Sequence, residues 1–169
     1  MIRPIVKFGD PALHSRAADV PAVDAQIQKL IDDMIETMYA APGIGLAAPQ
    51  IGVSLRIFVV DLSFGRNAGD LVVMINPAFV ELDGMQLEEE GCLSVPDFNA
   101  TVLRPTRAVV CGLDRTGTVH TVEATDLRAR AFQHEMDHLD GKLFVDRLRG
   151  IKRDLIVRKI RKMIKAGTW

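Results

Sequence analysis

At 169 residues, with 48% apolar and 25% charged side chains, the chain has the make-up of one ordinary globular domain, 1–169, and not of a disordered, collagen-like or coiled-coil polypeptide. A core of this size closes without disulfides or a structural metal, and two cysteines are too few for a secreted disulfide scaffold, so a cytoplasmic setting is expected. The net charge of −1 argues for neither DNA nor a membrane as the main partner, and the uncharged stretch from Thr37 to Leu55 is broken by Pro42, Gly43, Gly45, Pro49 and Gly52.

In chain order, Ile27, Leu30, Ile31, Met34, Ile35 and Met38 fall at helical spacing behind Asp24, a residue suited to an N-cap. Pro42 and Gly43 end that helix and open a Gly- and Ala-rich loop through Gln50, whose small residues let backbones approach closely. Apolar runs at Ile57–Val60 and Leu71–Ile75, with a Gly/Asn/Asp turn between them, predict two strands. Met85–Glu90 and Ala108–Leu113 predict two more, and Asp114–Gly117 turns the latter into a strand at Val119–Ala124.

A helix capped by Asp126 is expected to run to about Asp140, with Gly141 as its stop. A last helix follows, with Leu148, Ile151, Leu155, Ile160 and Met163 as its expected buried stripe. Between Arg147 and Lys165 lie nine Lys or Arg against Asp154 alone, a local balance of +8 that leaves −9 for the rest. The expected class is α+β: antiparallel sheets around a central HExxH helix, with an N-terminal amphipathic helix and a C-terminal basic helix.

The chemistry concentrates at His134-Glu135-Met136-Asp137-His138. Two histidines four apart on a helix project one above the other and can grip one divalent ion, while Glu135 is placed to work on a metal-bound water. A catalytic site needs a third protein ligand. The extended zinc-peptidase motif would put a histidine where Phe144 stands, so that pattern fails. Cys92, after flexible Gly91, is the better candidate, and Cys111 within an apolar strand reads as core.

Three segments, GIGLAAPQ (43–50), EGCLS (90–94) and QHEMDHLDG (133–141), resemble the signature motifs of the peptide deformylases in order and spacing. The resemblance implies a metal-dependent amide hydrolase that removes the N-formyl group from the N-terminal methionine of newly made proteins and releases formate. It implies Fe2+ held by Cys92, His134 and His138, with Zn2+, Ni2+ or Co2+ able to replace it in preparations. Glu135 would be the general base and acid that serves the metal-bound water, and Gln50 with the backbone N–H of Leu93 would stabilise the oxyanion.

Substrate would run along Ile44 and Gly45, and the methionine pocket would include Ile44 and Leu127. Glu90 and Arg104 are expected to pair. Asn99 and Arg130 depart from the family pattern, the latter at a pocket-side position often apolar. The basic helix resembles one that docks on ribosomal RNA in some relatives, although a solvated charged face is its plainer reading. The competing readings are a general zinc peptidase and a binding module with a closed structural metal site, which would require His14 or His120 as a fourth ligand.

Overall fold

Ile57–Val60 (β2) has no exposed side chain, so this strand requires apolar cover on both faces. It receives it from two helices. The structure is a computed structural model that describes residues 1–169. In it β2 lies inside a five-stranded antiparallel sheet with Gly45–Ala47 (β1), Val72–Asp83 (β3), Arg107–Leu113 (β6) and Val119–Thr125 (β7), in the order β1-β2-β3-β6-β7. Successive residues of a strand point to opposite faces. Leu46, Ile57, Val59, Val73 and Ile75 accordingly pack with Ile27–Met38 of Ala25–Ala40 (α1). Ala47, Phe58, Val60, Val72 and Met74 pack with Ala129–Leu139 of Asp126–Leu139 (α2).

Asp24 does cap α1, accepting from the Ile27 N–H at 3.0 Å. Asp126 does not cap α2: Thr125 holds the N-cap position, and Asp126 is the first helical residue at φ +52°. Gly141 ends α2 at φ +74°, where an added Cβ would lie 2.8 Å from the Ser15 backbone, so glycine is required there.

Gln86–Cys92 (β4) and Val95–Arg104 (β5) form a separate antiparallel hairpin. Its inner face, with Val95 and Val102, closes a third core with Leu143, Phe144, Val145 and Ile160. The last helix, Ile151–Ala166 (α3), presents Val157 and Ile160 to the body of the protein. The expected stripe holds at Ile160, with Leu148 and Met163 half-buried, but Ile151 is 72% and Leu155 47% exposed and Val157 is buried instead. Cys111 is only half-buried on β6, not a core residue. No helix is long and apolar enough to cross a membrane.

Candidate active site

A groove of about 430 Å³ runs between two strands that belong to different sheets. One wall is Pro42–Gly45, leading into β1, the edge strand of the large sheet. The other is Glu89–Leu93 of β4 and its turn, and the floor is the Leu127, Arg130, Ala131, His134 and Glu135 face of α2. That floor follows helix periodicity, since residues three, four and seven apart stack on one face. Leu127 is 51% exposed and forms the rim.

At the floor, Cys92 Sγ and the two histidines bring one donor atom each within 4.8 Å of one another, the only such trio of Cys, His, Asp or Glu side chains in the protein. His138 Nε2 is 3.3 Å from the sulfur and 3.2 Å from His134 Nε2. His134 Nδ1 donates to Glu90 at 2.7 Å, which turns the lone pair of its Nε2 toward the sulfur. His14 and His120 lie elsewhere, bonded to Gly9 N–H and facing Val73 O respectively, so neither supplies a fourth ligand.

The electrostatics of the trio are uneven. Burial alone would discourage charge on His134, yet the facing Cys92 sulfur and Glu90 hold its pKa well above the ordinary imidazole value. His138 shifts the other way, through burial and the neighbouring His134. One sulfur and two imidazoles suit Zn2+, Fe2+ and similar ions in donor softness. Only two buried side-chain polar atoms lack a partner, Glu135 Oε2 and His138 Nδ1. An orphaned carboxylate oxygen beside the trio fits a site that handles water.

Burial pushes the Glu135 carboxyl up to about 7, within range of both losing and regaining a proton at neutral pH. Gly45 makes room for it: an added Cβ would lie 2.5 Å from Glu135 Oε1. Gln50 is fully buried, its Oε1 accepting from Ala47 N–H at 2.9 Å and its Nε2 donating to Ser94 Oγ at 3.2 Å. Its remaining contact, 3.7 Å to Cys92 Sγ, is the weaker one and leaves that N–H aimed at the trio.

Behind the trio stands a buried ionic lattice. Arg104 Nε and Nη2 each donate to Glu90 at 2.7 Å, so the expected pair forms as a bidentate fork. Burial would raise Glu90, but the bonds from Arg104 and His134 hold it well below the usual carboxylate range. Arg104 also reaches Asp137 at 3.0 Å, and Arg147 grips the same carboxylate. Asp137 and Arg147 were not legible as a pair, although an acid between two helical histidines was a usable signal.

Fold and groove together define a metallohydrolase open to an extended peptide. The polypeptide deformylase family model matches residues 2–154, and the chain belongs to that family. A peptide deformylase of Acidobacterium capsulatum is 50% identical over 169 residues, 100% of this chain and 99% of the relative. The crystal structure of a Legionella pneumophila peptide deformylase superposes with a TM-score of 0.91 at 43% identity, covering 99% of this chain and 98% of the other. An Ehrlichia chaffeensis peptide deformylase in complex with actinonin gives 0.87 at 38% identity over 95% and 96%. The chain removes the N-formyl group from the N-termini of nascent proteins, and its activity is metal-dependent.

Proposed function

We propose that residues 1–169 act as one catalytic domain in the cytoplasm, with Cys92, His134 and His138 holding Fe2+ and accepting Zn2+, Ni2+ or Co2+ in its place. The observation that carries this is the convergence of those three donors beside the unpartnered Glu135 Oε2. When bound, the cation supplies a Lewis acid that brings the pKa of water from 15.7 toward about 7.

The nascent chain enters as an added strand against Ile44 and Gly45, where main-chain bonding accepts any sequence. Its methionine side chain turns into the groove past Ile44 and Leu127, flanked by Ala131. Glu135 Oε2 takes a proton from water and returns one to the departing amine nitrogen. The Gln50 Nε2 and Leu93 N–H groups hold the formyl oxygen as charge develops, and each such donor contributes about 3 kcal/mol of barrier lowering. The peptide walls keep bulk water out.

Anaerobically purified wild type and Glu135→Ala, assayed for formate from a formyl-Met peptide with metal content measured alongside, test this reading. Equal metal with formate release about 10²–10⁴-fold lower in the variant is expected. Equal formate release from both would contradict it. The family match to the deformylases, and Phe144 where an extended peptidase motif would have a histidine, speak against a general zinc peptidase.

A further inference from the structure

Ser94 is fully buried, and its hydroxyl has one polar partner, the Gln50 amide, whose Nε2 donates to Oγ at 3.2 Å. It lies in the turn between β4 and β5, two residues after Cys92, while Gln50 belongs to the short helical turn Ala48–Ile51 that follows β1. The two residues thus come from different sheets, and one stretch of chain fixes the gap between them. Val6 N–H donates to Gln50 O at 2.8 Å and Phe8 N–H to Ser94 O at 2.9 Å, so alternate residues of that stretch hold both backbones. The Trp169 indole N–H in turn donates to Phe8 O at 2.9 Å. Ser94 Oγ meets Gln50 Nε2 across a distance that main-chain bonds have already set.

An amide held at one point can still pivot about it, and a second bond at its other end fixes the plane. In Gln50, Oε1 accepts from Ala47 N–H at 2.9 Å, which assigns the oxygen end, since an NH2 group there would face another donor. The Ser94 bond takes one of the two Nε2 hydrogens and leaves the other directed at Cys92 Sγ, 3.7 Å away. We infer that Ser94 is a positioning residue: it holds the Gln50 amide plane so that the second N–H stays aimed at the trio. This rests on the oxyanion role given to Gln50 under the proposed function. Without the hydroxyl the first N–H is a buried donor with no partner, and the amide relieves it by pivoting about the Ala47 bond, which swings the second N–H off its aim.

The test is a double-mutant cycle of Ser94→Ala and Gln50→Ala, read as kcat and KM for a formyl-Met peptide on the holoenzymes, with metal content measured for each. Ser94→Ala should lower kcat by about 10–100-fold with KM within about twofold, because a contact made in the transition state is misaligned. Gln50→Ala should lower kcat by about 10²–10³-fold. Adding Ser94→Ala to it should change kcat by less than about twofold, since the amide through which Ser94 acts is gone. Metal content should match the wild type throughout.

Should the alanine variant not fold, Ser94→Cys keeps the volume, presents a poor acceptor and must show the same loss of kcat. A folded variant with wild-type kcat would overturn the inference. So would a Ser94→Ala loss of equal size in both backgrounds, because the serine would then act through the fold or the Cys92 turn and not through the amide. Gln50→Ala with wild-type kcat would instead refute the oxyanion role of Gln50 itself, and the inference with it.

Discussion

Glu90 and His134 stand 2.7 Å apart, 44 residues distant in sequence, and that one hydrogen bond joins the ionic lattice to the trio of Cys92, His134 and His138. The carboxylate fixes the imidazole's tautomer and ring plane, while Arg104 and Arg130 occupy its remaining lone pairs. The lattice thus acts as a rigid mount for the His134 imidazole. Buried ion pairs contribute little net stability, but removing one partner leaves the others uncompensated.

Glu90→Gln is expected to weaken metal binding by about 10–100-fold. It also lowers stability by about 3–5 kcal/mol, because Arg104 loses its fork partner in a buried place. Competition with a chelator reads the first effect and denaturant unfolding of the metal-free variant the second. Unchanged chelator resistance would show that His134 is oriented without Glu90.

Away from the groove, Asp61 ties the end of β2 to α1 and to the following turn. It accepts from Tyr39 Oη at 2.5 Å, from Ser63 N–H and Oγ–H, and from Gly65 N–H. Burial would raise its pKa, but these bonds outweigh it and hold it below the usual carboxylate value. Burial and the facing Asp61 push Tyr39 up to about 12. A folded pKa below the unfolded one means stability that is fully present above the unfolded value and lost as pH falls through the folded one. Asp61→Asn should therefore cost about 1–3 kcal/mol at pH 7, with the gap to wild type closing below about pH 4. A gap constant from pH 7 to pH 3 would contradict this.

How much of this could be read beforehand depended on how local the signal was. The HExxH pair, α1 and its Asp24 cap, and the β6–β7 hairpin are set by spacing within a dozen residues, and they appear as expected. β1 and β5 do not announce themselves. Gly45-Leu46-Ala47 has little intrinsic strand preference and becomes a strand through pairing with β2. In β5, Pro96, Asp97 and Asn99 suggest a loop, and the inward alternation of Phe98, Ala100 and Val102 ends on the buried charge of Arg104. The partly shifted face of α3 has the same cause. Its sequence offers two apolar stripes, and it is the distant Val95, Val102 and Phe144, packed on Ile160, that fix which side turns inward and leave Ile151 and Leu155 out.

Ile151 and Leu155 are thus exposed among Lys152, Arg158, Lys159 and Lys162, also exposed. We propose that this face docks on ribosomal RNA. Replacing the four basic residues with Glu should abolish co-sedimentation with ribosomes, while kcat/KM on a free formylated peptide stays within about twofold, as expected for surface changes far from packed features. Co-sedimentation unchanged by the reversal would reject the docking face.

The central claim is that one sulfur and two imidazole nitrogens, delivered by a hairpin turn and one helix, share a cation. X-ray absorption at the metal edge of the holoenzyme tests it most directly. For a zinc-loaded sample the account predicts one sulfur scatterer at about 2.3 Å and two nitrogens at about 2.0–2.1 Å, with the sulfur lost in Cys92→Ser. A wild-type first shell of nitrogen and oxygen alone, with no sulfur contribution, would contradict it.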